Sequence, residues 1–192
     1  MKKVPLIVFL IVLGCQSTPK KEAINKIDTK EQLQNDIRTM NDSLMSIYNL
    51  SQEVLRSYGK EDIIKYKTDR SLIRIELINR NLAYYKAFPE DSMSAYCLAD
   101  VQQLYDDAGV YQKALDYGDS IALLYPDFKD LLLVLEKNAA ILDLNMENRD
   151  TMRIRDAYER LLAYPELSIE LRDTYKERLS NLHIDFIEFL KK

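Results

Sequence analysis

The 192-residue sequence has no tryptophan, a single histidine, two cysteines, four glycines and five prolines. Each scarcity excludes something. Glycine stands well below its average share of roughly 7%, and strand-rich sandwiches and nucleotide-binding α/β folds both consume glycine in tight turns and phosphate loops. One histidine and two cysteines leave too few ligands for a typical zinc site and too few partners for a nucleophile–base pair. What the chain has in quantity is 47% hydrophobic and 30% charged residues. That is enough apolar surface for one ordinary folded domain, and too much for a disordered chain. Few glycines, few prolines and many charged residues between apolar ones fit long helices.

The first residues read as an address. Lys2 and Lys3 precede an apolar run from Val4 to Leu13 that only Pro5 interrupts. Ten residues cannot cross a bilayer as a helix, which takes about 20, so the run fits a secretory leader. Its end, Val12-Leu13-Gly14-Cys15, resembles the lipobox of bacterial lipoproteins. The resemblance implies cleavage after Gly14, diacylation of the Cys15 thiol and acylation of the new amino group. Several acyl chains give a stable membrane anchor where one is marginal. On this reading residues 1–14 are a signal peptide, 15–27 a polar tether, and 28–192 the folded domain. Losing Lys2 and Lys3 leaves 25 basic against 31 acidic side chains, a net charge of −6. An acidic chain gains no counterion release on a polyphosphate, so nucleic acid is not an expected partner. With no aspartate directly after Cys15 and no acidic stretch of the kind used for surface export, the expected location is the outer membrane, facing the periplasm.

From residue 28 onward helical periodicity dominates. Leu33, Ile37, Met40, Leu44, Ile47, Val54 and Tyr58 recur in steps of three and four, apart from one gap at Ser51. Gly59 follows where a helix stop belongs. This 33–58 stripe serves either packing within the domain or a short coiled coil. A second helical segment covers Glu61 to Ala87, as one helix or as two divided at Asp69–Ser71. Long helices over 28–88 are thus expected to precede a repeat region over 89–192.

Three helix endings then share a form, aromatic-proline-acidic, at Phe88-Pro89-Glu90, Tyr125-Pro126-Asp127 and Tyr164-Pro165-Glu166. The prolines are 37 and 39 residues apart, within the range of stacked helical hairpins. The middle unit fits the tetratricopeptide pattern, with Leu98, Val101, Gln102 and Tyr105 on helix A and Ala114, Gly118 and Pro126 on helix B. Ala114 belongs where the two helices touch most closely. Gly109 and Tyr111 fall in the turn. Leu98 replaces the pattern's tryptophan, Gln102 its small residue and Gly118 its aromatic, with Tyr117 one position early as a substitute ring. The third unit is expected as helix A near Phe128–Leu144 and helix B near Thr151–Tyr164, and a closing helix from Ser168 to Leu190. The stretch from Leu82 to Lys192 resembles the tetratricopeptide lipoproteins common in Bacteroidetes-type bacteria, and more distantly the lipoprotein subunit of the outer-membrane β-barrel assembly machinery. That resemblance implies an all-α fold of antiparallel helical hairpins stacked as a short α-solenoid, and a role in protein binding.

No chemistry-bearing motif accompanies the repeats. The pairs Glu61-Asp62, Glu90-Asp91 and Asp106-Asp107 sit at helix ends or turns, where carboxylates cap helices or stay hydrated. Cys97 lies among Ala95, Tyr96, Leu98 and Ala99 and fits a small buried role. His183 has no companions for a metal site. The expectation is a non-enzymatic protein without metal or cofactor, whose partner is another cell-envelope protein. Helix A lines the concave face of tetratricopeptide domains, which makes Tyr96, Ala99, Gln103 and Asp106 the candidate groove. Two further readings stay open: oligomerisation through the 33–58 stripe, and ligand or glycan binding by some of the thirteen tyrosines.

Overall fold

A computed structural model describes residues 29–49, 57 and 59–191. The leader, Cys15, the tether, and Val54 and Tyr58 of the first stripe lie outside the described residues. Within them the fold is all-helical, with no strand. The helices are α1 (Lys30–Tyr48), α2 (Lys60–Ala87), α3 (Ser92–Asp107), α4 (Tyr111–Leu124), α5 (Leu131–Ala140), α6 (Thr151–Leu162), α7 (Ile169–Ser180) and α8 (Phe186–Phe189). A π-helical turn, Ile141–Asn145, extends α5. Among the described residues no helix is long and apolar enough to cross a membrane.

Side-chain caps fix where most of these helices begin. Thr29, Asp91, Asp150, Ser168 and Asp185 each accept a bond from a backbone N–H of the first turn. These bonds satisfy donors that a helix start leaves orphaned. Asp62 does the same in reverse for α2, accepting from the Gly59 N–H at 3.1 Å, so Gly59 opens α2. No break occurs at Asp69–Ser71. Thr68 and Ser71 turn their hydroxyls back onto the carbonyls of Ile64 and Lys67, which keeps them inside one 28-residue helix.

The proline endings are one repeated turn. At each, the aromatic carbonyl before proline accepts the N–H three residues on: Asp91 to Phe88 at 3.0 Å, Phe128 to Tyr125 at 3.0 Å, Leu167 to Tyr164 at 3.3 Å. Proline's fixed φ suits the second position of such a turn, and its missing N–H costs nothing there. Successive turns also touch, since the Tyr125 hydroxyl donates to the Pro89 carbonyl. Gly109, at φ +73°, makes the tight reversal between α3 and α4, a conformation that other residues adopt at a cost.

From α1 to α7 the helices pack chiefly against their neighbours among the described helices, an arrangement compatible with stacked hairpins. α3 is the hinge of the core. One side gives Ala95 and Leu98 to a cluster with Ala114, Ile121, Val134 and Ile154. The other gives Cys97, Val101 and Leu104 to a cluster with Leu33, Ile37, Leu44, Leu77 and Tyr84. Leu33, Ile37 and Leu44 are therefore spent inside the domain. Ala114 is fully buried, as the close helix contact requires.

The closing helix differs from the expected Ser168–Leu190 span. It stops at Ser180, turns through residues 181–184, and resumes as α8. Arg178 braces the break by donating to the carbonyls of Asn181 (2.9 Å) and Ile184 (3.0 Å), while Asp185 caps the restart. The helix expected over Phe128–Leu144 begins at Leu131, because Phe128 is the last residue of the proline turn.

Candidate functional site

Two of the four candidate groove residues come together. Gln103 and Asp106, one turn apart on α3, both meet Lys137 of α5. The Lys137 ammonium donates to the Gln103 side-chain carbonyl and lies 3.9 Å from the Asp106 carboxylate. Gln103 in turn donates to Asp107 at 2.7 Å. Burial raises the Asp106 pKa from the ordinary carboxylate value; Lys137 opposes that rise and Asp107 adds to it. Beside this cluster runs a shallow cleft of about 490 Å³, bordered by Leu133, Glu136, Ala140 and Asn145. Leu133 stands 62% exposed within it.

Tyr96 and Ala99 do not join that cluster. The Tyr96 ring meets Phe128 edge-on, centroids 4.9 Å apart, and the Lys129 ammonium sits 5.4 Å over its face. It faces a separate cleft with Tyr125, Phe128 and Lys129, beside the second proline turn. Ala99 is half-buried against the core.

Cys97 and His183 lie apart from both clefts. Cys97 is buried, and desolvation pushes its thiol up to about 12, so it stays protonated. His183 is exposed. Among the described residues no three His, Cys, Asp or Glu side chains are grouped to hold a metal ion. What the α3/α5 cleft offers is non-covalent: an amide, a carboxylate and an ammonium beside exposed aliphatic surface.

Two buried polar groups escape sequence reasoning. In the first, the Gln102 amide donates to Asn138 Oδ1 at 2.8 Å across the α3–α5 contact, directly over Gly118 of α4. The unusual Gln102 and Gly118 thus explain each other, since the amide pair occupies the space a side chain at 118 needs. Tyr117 supplies a ring nearby, stacked on Tyr105 with centroids 5.6 Å apart.

In the second, the π-helical turn directs Asp143 into the core, where its side chain has no exposed surface. Arg178 donates to both its oxygens at 2.7 and 2.8 Å, Tyr158 at 3.2 Å and Arg149 at 3.3 Å. Arg149 also donates to the Leu182 carbonyl, and the Phe186 and Phe189 rings lie against the Arg178 guanidinium. The network ties α5 to the chain's last helices. No local pattern marks Asp143, because its burial depends on the π turn.

No protein-family model, curated protein or solved structure matches the chain.

Proposed function

We propose that the protein is a non-enzymatic, lipid-anchored envelope protein that binds another envelope protein through a tetratricopeptide-like scaffold. In this reading Cys15 holds it at the outer membrane, facing the periplasm, and the cleft between α3 and α5 receives the partner. The observation that carries the proposal is the cleft itself. Gln103, Asp106 and Lys137 are polarised against one another beside an exposed Leu133 that packs into neither core cluster. Interfaces concentrate their energy in such places, where an apolar anchor lies inside a polar rim.

Crosslinking in intact cells, followed by affinity capture of the full-length protein, tests the reading. Gln103→Ala/Asp106→Ala removes the polar rim without touching Tyr96, whose ring packs on Phe128. The expected result is an unchanged melt and loss of the captured partner, because a bound partner would then cover the Lys137 ammonium without its carboxylate and amide, a loss of roughly 2 kcal/mol or more in binding. Capture at parental levels would remove the site from this cleft. The coiled-coil alternative has less to draw on, because Leu33, Ile37 and Leu44 are already buried within the domain. Light scattering on the full chain separates the two: the adaptor reading expects a monomer, the coiled coil a dimer or larger.

A further inference from the structure

The other flank of α5 faces α7, and a cavity of about 240 Å³ lies between them. Ala140, Leu144, Tyr175 and Leu161 line it, and Phe186 and Phe189 of α8 with the following Leu190 form its outer wall. That volume falls below the roughly 300–1,000 Å³ of pockets that hold small-molecule ligands, and suits a single large side chain. Among the described residues no side chain fills it. Leu190 at its rim is 64% exposed, and Leu144 and Ile187 are exposed as well.

Glu136 stands where this cavity and the α3/α5 cleft adjoin, lining both. Its carboxylate accepts the Tyr175 hydroxyl. Among the described residues it meets no cation within ion-pair distance, while neighbouring Lys137 is engaged by Asp106 and Gln103. Burial and the carboxylate bond hold the Tyr175 pKa above that of an ordinary phenol, so the hydroxyl stays a neutral donor to Glu136.

The walls are helical, with their N–H and C=O groups engaged along the helices. They offer an extended peptide no row of main-chain partners, whereas a helix brings its own backbone satisfied. The segment the chain itself lays beside the cavity has that form: Phe186, Phe189 and Leu190 at i, i+3 and i+4, then Lys191.

We propose that the α5/α7 cleft docks an amphipathic helix of the partner protein, which inserts one large apolar side chain beside Ala140 and Tyr175 and sets a lysine or arginine against Glu136. This rests on the adaptor reading above and gives the partner a chemistry: an apolar anchor flanked by positive charge.

The test uses the full-length protein and fluorescein-labelled, alanine-framed helical peptides read by fluorescence anisotropy. One peptide carries phenylalanine and leucine at i and i+3 with two lysines on the same side. One control replaces the lysines with glutamates, another the apolar pair with alanines. The lysine peptide is expected to bind, and both controls to bind about tenfold more weakly or worse. Glu136→Gln keeps an acceptor for Tyr175 and removes the charge. It is expected to lower lysine-peptide affinity about threefold to tenfold and to flatten its salt dependence. Ala140→Trp, at an exposed position, is expected to fill the cleft and abolish binding, with a parental circular-dichroism melt showing the fold intact. If that variant does not fold, Glu136→Gln carries the test alone. Equal binding of lysine and glutamate peptides, or affinity indifferent to Glu136→Gln, overturns the proposal. If the peptides fail while cellular capture still depends on Gln103 and Asp106, only this cleft is refuted; failure of both refutes the adaptor reading too.

Discussion

Gly118→Ala is expected to destabilise the protein although it replaces a helix-interior glycine. A Cβ at this position would lie 2.3 Å from Asn138 Oδ1 and 2.5 Å from Gln102 Nε2, where ordinary contact begins near 3.4 Å. The amide pair must therefore retreat by about an ångström, which breaks its 2.8 Å bond. Gln102 and Asn138 are 1% and 5% exposed, so water cannot easily replace what is lost. Each unpaired buried group costs about 1–3 kcal/mol. Against this, alanine is favoured over glycine in a helix interior by about 1 kcal/mol. With two such groups left unpaired, the net expectation is a loss of about 1–5 kcal/mol, read as a lower urea midpoint with unchanged slope. In a Gln102→Ala/Asn138→Ala background the obstacle is gone, and the same substitution should stabilise by about 0.5–1 kcal/mol. The sign itself is the test. A raised midpoint for Gly118→Ala in the otherwise native chain refutes the reasoning.

Arg178→Met should cost about 3–5 kcal/mol by stranding buried Asp143, and Asp143→Leu/Arg178→Met should recover much of that loss; a single-variant cost below about 1 kcal/mol in urea unfolding contradicts the network's role. With Cys15 changed to Ser, Cys97 should react with a thiol-specific disulfide reagent at pH 8 only as fast as the protein opens, and rapid labelling of the folded chain contradicts this. Because the Cys97 pKa is raised in the folded state, from 9.0 to about 12, its contribution to stability is fully present below about pH 9. That contribution is lost as pH rises toward 12, so alkaline denaturation should begin later in Cys97→Ala, provided the substitution is otherwise tolerated. Cys15→Ala should shift the protein from the membrane fraction to the soluble one, and retention through a high-salt wash rules out the lipid anchor.

Where a local signal was strong, it survived folding. Proline after an aromatic residue predicts each chain reversal because proline can neither extend a helix nor leave the preceding residue helical, and all three reversals share one hydrogen bond. Ala114, which the likeness to the tetratricopeptide pattern singles out as a small residue at a helix contact, is fully buried. The break after Ser180 had no such signal. Arg178 stabilises it from within the core, and a sequence window shows only another basic residue near a helix end. Asp69–Ser71 misleads in the opposite direction, since Ser71 bonds back onto the helix instead of ending it. Of the groove residues, period alone puts Gln103 and Asp106 on one side of α3. Only the position of α5 decides that Lys137 joins them and that Tyr96 turns to Phe128.

The preference of α1 to α7 for their neighbours among the described helices has a kinetic consequence. Packing partners that are close in the chain close small loops, so folding searches are short and refolding is expected to be fast for a chain of this length. It also makes the order of opening close to one-dimensional. α8, four residues long with none of them buried, is the natural starting point for fraying. α3, which serves both core clusters, is the point at which opening from either end must stop or become global. Amide exchange should therefore grade along the chain, slowest near Leu98 and Val101 and fastest toward the C-terminal turn, with helices released in sequence order rather than all at once.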